Sequence, residues 1–181
     1  MPGLKVPQVP QVPQVPQVPQ APQVPQVPQV PQVPQALQAL LKRYAGRRVY
    51  LDTNVFIYVL NGAPGLAEPS VALLEACCRG ELLGVTGDLT LAELLVQPLR
   101  LNDAAATAAV RELLLDSGAV SLLGHDRACF ERAATLRARH GLKMPDALHL
   151  ATSLGSGAAC FVSNDRQLPR VEGIDVVAWR T

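Results

Sequence analysis

The chain reads as an α/β protein built on a central parallel sheet with helices on both faces. Three observations predict it. From Val49 onward, short β-branched or apolar runs alternate with longer stretches at helical spacing, the pattern of repeated βαβ units. The first run, Val49-Tyr50-Leu51, is apolar without alternation, as a strand covered on both faces requires. After its opening 35 residues, the 181-residue chain is still long enough for one domain with a proper core.

Those opening residues are unlike the rest. From Val6 to Gln35 the triplet Val-Pro-Gln repeats ten times, with Ala21 replacing valine once, and eleven of the 16 prolines fall in or just before this tract. Proline at every third position forbids helix and removes the donors a sheet ladder needs. A polyproline II helix has a period of about three residues, so Val, Pro and Gln form three separate stripes. The tract contains no glycine, which excludes collagen. Its P-x-x-P spacing suits an aromatic groove, but any such repeat generates that spacing. The expectation for residues 1–35 is a solvated low-complexity tail, disordered or polyproline II.

Residues 36–47 are expected to form a linker helix. Leu37, Leu40 and Leu41 share one side of Ala36 to Tyr44, and Gly46 ends it. The folded domain then runs over 48–181. Val49-Tyr50-Leu51 is the first strand, and Asp52, Thr53 and Asn54 are helix starters. Asn61-Gly62-Ala63-Pro64-Gly65 is a loop. Ser70 to Arg79 has helical spacing and stops at Gly80. Gly84-Val85-Thr86 is the second strand, and Thr90 opens the next helix. Asp103 to Leu115 is an alanine-rich helix, and Ala119 to Leu122 is the third strand. His125 to His140 is a longer helix with Ala128, Ala133 and Leu136 as contacts. Pro145 opens a helix that Gly155-Ser156-Gly157 closes. Ala159 to Ser163 and Asp175 to Ala178 are the last two strands.

Composition narrows the function. Lys5 is the only charged side chain of the tail, so the other 15 Lys and Arg balance 15 Asp and Glu. A neutral domain makes no general case for nucleic acid, and any such partner must act through local patches. The four cysteines form no C-x-x-C pair and have no His at zinc spacing, which suits reduced thiols in a cytosolic protein. No apolar run approaches ~20 residues and no signal-peptide core is present, so a cytoplasmic location without membrane partners is expected. Gly155-x-Gly157 follows a helix and lacks the third glycine, and no phosphate-loop motif occurs.

Acids remain. Asp52 ends the first strand, Glu93 lies in the first turn after the second, Asp146 opens the Pro145 helix, and Asp165 follows the fourth strand. In a parallel sheet these ends share one edge, where open α/β sheets place their sites. Each has a structural account of its own: Asp52 as a helix cap, Thr90-x-x-Glu93 as a capping box, Asp146 in a helix dipole, Asp165 in an Asx-turn. Together, four clustered carboxylates repel one another unless a cation sits among them. Oxygen ligands without His or Cys select Mg²⁺ or Mn²⁺.

The set Leu51-Asp52-Thr53-Asn54, Leu91-Ala92-Glu93-Leu94, Pro145-Asp146-Ala147-Leu148-His149-Leu150-Ala151-Thr152 and Ser163-Asn164-Asp165 resembles the PIN domain. It is most similar to the small VapC-type ribonuclease toxins of prokaryotic toxin–antitoxin pairs. The resemblance covers about Val49 to Ala178, with Ser163 where the family often has Thr. The tail has no counterpart in it. The resemblance implies a three-layer fold and a metal-dependent endoribonuclease. Asp52, Glu93, Asp146 and Asp165 would be catalytic and would hold one or two Mg²⁺ (or Mn²⁺) ions. Thr53, Asn54 and Ser163 would orient those acids. It also implies an RNA substrate, an antitoxin partner and a homodimer. Arg166 is the first basic residue to test against RNA. Arg132, Arg139 and Lys143 fall near one helical face, best read as solvated. His149, three residues after Asp146, has a site-facing reading but reads better as a capped or surface histidine; Asp88 reads as a loop acid and Asp126 as a helix cap. Two rival readings are a haloacid dehalogenase-type phosphohydrolase, which wants a second Asp where this chain has Asn54, and a non-catalytic interaction module.

Overall fold

The computed structural model describes residues 34–179. The tail expected to be disordered or polyproline II lies outside the described residues, apart from its last two positions. Pro34 caps α1, Gln35–Arg43, and Gln35 is its first residue. Leu37, Leu40 and the following Tyr44 join the hydrophobic core, so this helix is built into the folded unit.

Five parallel strands form the sheet, in the order β3-β2-β1-β4-β5. β1 (Arg48–Leu51) lies at the centre. α2 (Thr53–Leu60) and α3 (Ala67–Cys78) lead to β2 (Leu83–Gly87), and α4 (Asp88–Arg100) follows at once. α5 (Ala104–Arg111) widens into a π-type turn over Glu112–Asp116 before β3 (Ser121–Leu123). α6 (Arg127–His140) and α7 (Met144–Gly155) return the chain to β4 (Cys160–Val162), and a loop leads to β5 (Asp175–Val177). The chain moves outward from β1 through β2 to β3, then restarts on the other side of β1. The order therefore reverses between β1 and β4, and that crevice at the carboxyl ends is where open α/β sheets bind ligands.

Alternation along the strands makes three layers. Val49 and Leu51 of β1 and Cys160 and Val162 of β4 point into a core shared with α1 to α4. Tyr50 and Phe161 point the other way, into a core with Cys129, Ala133 and Leu136 of α6 and Leu150 of α7. The period-two geometry of a strand requires this split. Tyr50 and Phe161 stack with centroids 5.2 Å apart. Ala128, expected in the α6 contact face, is exposed. Cys129 takes its place because the helix begins at Arg127, with Asp126 as its cap. All four cysteines are free. No helix among the described residues is long and apolar enough to cross a membrane.

Candidate active site

Asp52 stands where β1 ends at the crevice. It is the N-cap of α2, and its Oδ1 accepts from the Thr53 N–H at 2.8 Å. The other oxygen, Oδ2, accepts from Asn54 Nδ2 at 2.7 Å and from Ser163 Oγ at 2.5 Å. Capping and site-building are thus done by different oxygens of one carboxylate. All three donors are neutral. Burial raises the Asp52 carboxyl above its ordinary range, against the bonds from Ser163 and Thr53.

Glu93 is treated differently. α4 begins at Asp88, two residues before the expected start, so Glu93 lies in the second turn and Thr90 is no cap. Asp88, expected in a loop, is the first residue of that helix. Instead of closing a capping box, Thr90 Oγ1 lies 2.7 Å from Thr86 Oγ1. Glu93 Oε2 accepts from Thr53 Oγ1 at 2.6 Å and meets His149 Nε2 at 3.1 Å. Burial opposes the charge of Glu93, yet the bonds from His149 and Thr53 reverse the effect and hold its carboxyl below the usual range.

His149 corrects the sequence reading most. It is not a surface or capped histidine but 3% exposed. Its Nδ1 lies 2.9 Å from Tyr50 Oη. The ionised Glu93 only accepts, so Nε2 carries a proton toward it, and Nδ1 pairs with the phenol. Burial pushes the Tyr50 phenol upward, so the phenol keeps its own proton. Gly87 permits the approach: a Cβ there would lie 2.8 Å from Tyr50 Oη. The only signal in the sequence was spacing, since His149 follows Asp146 by three residues, one helical turn, and so shares its face.

The other two acids are more open. Asp146 lies in the first turn of α7. Burial, then the like charge of Asp165, raises its carboxyl, and Glu93 adds to the effect. Asp165 is exposed. Its Oδ1 accepts from the Gln167 N–H at 2.8 Å, the Asx-turn, and its own N–H bonds Ser163 Oγ at 3.0 Å. Thr53 therefore joins Asp52 to Glu93, Ser163 joins Asp52 to the Asp165 backbone, and Asp146 is coupled to the set through charge alone. Arg166 is exposed beside Asp165. Arg132 spends its guanidinium on the Ala151 carbonyl at 3.2 Å.

Among the described residues, no three Asp, Glu, His or Cys side chains are closed on one point as a bound cation requires. The chemistry of the set still fits a hard divalent ion. The carboxylates supply oxygen donors, and two of them carry raised pKa values. Asn54 Oδ1, on the amide that bonds Asp52, is buried with no partner.

A family model for the PIN domain matches residues 49–174. The chain belongs to the PIN domain family. That membership removes the haloacid dehalogenase reading. No curated protein matches the chain in sequence. Among solved structures, VapBC2 from Rickettsia felis bound to a promoter DNA fragment is similar at 17% identity and TM-score 0.60, over 73% of this chain and 98% of that one. A toxin–antitoxin complex from Klebsiella pneumoniae is similar at 20% identity and TM-score 0.56, over 72% and 97%. The sarcin-ricin-loop-cleaving toxin VapC20 of Mycobacterium tuberculosis is similar at 17% identity and TM-score 0.54, over 65% and 90%. At these identities the likeness is one of fold. This PIN domain shares the fold of those proteins.

Proposed function

We propose that this PIN domain, spanning 48–181, is a Mg²⁺- or Mn²⁺-dependent endoribonuclease and the toxin of a type II toxin–antitoxin pair. The observation that carries the reading is Asp52: a half-buried carboxylate at the reversal point of the sheet, held only by neutral donors. Nothing bonded to it neutralises its charge, which is the state of a ligand awaiting a cation.

In this reading Asp52, Glu93 and Asp146 hold the ion, directly or through water, and Asp165 completes the set. When bound, the ion polarises the scissile phosphate and lowers the pKa of the attacking water. The chain's own residues do the rest. Thr53 fixes Asp52 and Glu93 relative to each other, Asn54 and Ser163 hold the Asp52 carboxylate in one rotamer, and His149 fixes Glu93. Arg166 contacts the RNA backbone.

The antitoxin has a surface to cover. An apolar groove of about 400 Å³ runs between α2, α4 and α5, lined by Ile57, Leu60, Leu94, Leu101 and Val110, and Glu93 stands in its wall. Leu99 and Leu101 beside it are 58% and 63% exposed. A segment laid there would reach the acids. We further propose a cytoplasmic homodimer, which light scattering of the purified chain tests.

The decisive test is cleavage of mixed RNA with Mn²⁺ by wild type, Asp52→Asn and Asp146→Asn. The Asp52 variant should lose more than the roughly 10–100-fold typical of groups behind a metal ligand. Equal cleavage by all three would end the assignment.

A further inference from the structure

Beside the acidic edge lies a second hollow of about 500 Å³. It is within the range of roughly 300–1,000 Å³ in which small-molecule sites fall. Its wall includes Tyr58, Asn164, Asp165, Arg166 and Arg170, and Ser163, which bonds Asp52, opens onto it. A molecule seated there is therefore next to the group that holds the central carboxylate.

Asn164 is the unexplained residue. Both polar atoms of its amide, Nδ2 and Oδ1, are buried and have no hydrogen-bond partner. Buried amides are almost always satisfied, because an unmet donor or acceptor loses its water for nothing. Here a donor and an acceptor are unmet on one planar group of a residue in the cavity wall, and the side chain has to turn for them to meet a ligand. The rest of the wall has matching chemistry. Arg166 and Arg170 are exposed cations in a domain whose charges balance overall. Tyr58 is half-buried against Trp179, with ring centroids 6.1 Å apart.

We propose that this hollow receives one unpaired nucleotide of the RNA and that Asn164 reads its base. The inference rests on the endoribonuclease reading and adds a specificity-determining residue to it. Single-stranded RNA is recognised by bases splayed out against aromatic rings and bonded along their edges. A carboxamide makes its paired bond with adenine, at the amino group and the adjacent ring nitrogen. Arg166 and Arg170 hold the flanking phosphates, where arginine forms two parallel bonds. Asp165, in the same wall, keeps the phosphates to the arginine side.

The test uses the full chain without divalent metal and short fluorescein-labelled single strands of A, C or U, read by fluorescence anisotropy. The adenine strand should bind tightest, by about fivefold or more, the discrimination expected of one paired contact. Asn164→Ala should erase that preference, and so should Asn164→Asp, which keeps the size and loses the donor. Thermal melts show that both variants fold. Arg170→Ala should weaken all three strands alike and lower the salt slope by about 0.7 for the phosphate lost. A wild type that binds the three equally, or a preference that survives both Asn164 changes, overturns the proposal. Cleavage with Mn²⁺ separates it from the parent reading. Wild-type cleavage with no Asn164-dependent preference removes the subsite and leaves the nuclease. An Asn164-dependent preference without cleavage keeps the subsite and removes the nuclease.

Discussion

Thr53 links Asp52 to Glu93, and the protein treats the two carboxylates in opposite ways. The Asp52 end is a nest of neutral dipoles: a backbone amide, an asparagine and a serine. The Glu93 end is a buried chain of Tyr50, His149 and Thr53. Burial drives up the pKa of the first, while the histidine and threonine bring down that of the second. Neutral donors orient a charge without cancelling it. The Asp52 end is thus set in shape and left wanting positive charge, whereas the Glu93 end is already satisfied. In the proposed nuclease, that difference would draw the cation first to Asp52, with Glu93 already held in place to join it.

Breaking the Glu93 end should cost the most stability. His149→Ala removes a buried side chain bonded at both nitrogens, to Glu93 and to the Tyr50 hydroxyl. A loss of about 2–4 kcal/mol is expected, seen in urea unfolding as a lower midpoint with an unchanged slope. A loss within the ordinary surface range, about 0.5 kcal/mol, would show that the chain does not hold this end.

The Asp52 end should answer to metal. With Mn²⁺ at a hundredfold excess over its dissociation constant, linkage adds about 2.7 kcal/mol, or roughly 5–10 °C for a domain of this size. Asp52→Asn should erase the shift, and His149→Ala should retain part of it. A melting temperature that ignores Mn²⁺ in the wild type would point to an interaction module instead.

The two ends should also separate by pH in the metal-free protein. The folded pKa of Asp52 is raised, so its contribution is complete below its ordinary value of 3.8 and is lost as pH rises through the folded value. Glu93 has the opposite sign. Its contribution is present above its ordinary value of 4.5 and is lost as pH falls through the lower folded value. Relative to wild type, Asp52→Asn should therefore gain stability as pH climbs from acid to neutral, and Glu93→Gln should lose it. Thermal melts across that range check both signs, and parallel curves for the two variants would dissolve the contrast.

Much of this was legible in the residues, for local reasons. Val49-Tyr50-Leu51 announced a covered strand, Pro145 a helix start, and strand–helix alternation a parallel sheet, because each signal acts within a few neighbours. Asp52, Glu93, Asp146 and Asp165 stood out as acids at element ends. The network around Glu93 was hidden because its partners come from three elements. Thr53 opens α2, Tyr50 lies in β1 and His149 in α7, and only packing joins them. Thr90-x-x-Glu93 misled for the same reason. The spacing of a capping box was present, but α4 started two residues earlier at Asp88, which left Thr90 free to bond Thr86.

Asp165 gives the smallest and sharpest prediction. Its Oδ1 closes the turn onto the Gln167 N–H, a bond that an asparagine oxygen makes equally well. Asp165→Asn should thus change stability by less than about 0.5 kcal/mol, as at other exposed positions. It also removes the like charge that helps raise Asp146, so the Asp146 carboxyl should move back toward its ordinary value. Titration of the Asp146 carboxyl by NMR reads that move, and Mn²⁺-dependent cleavage reads the function. If Asp165 takes part in holding the ion, cleavage falls while the fold is untouched, because the turn survives and the charge does not. If its task is the turn alone, cleavage holds at the wild-type rate, and the ion belongs to the Asp52 end with Glu93 and Asp146.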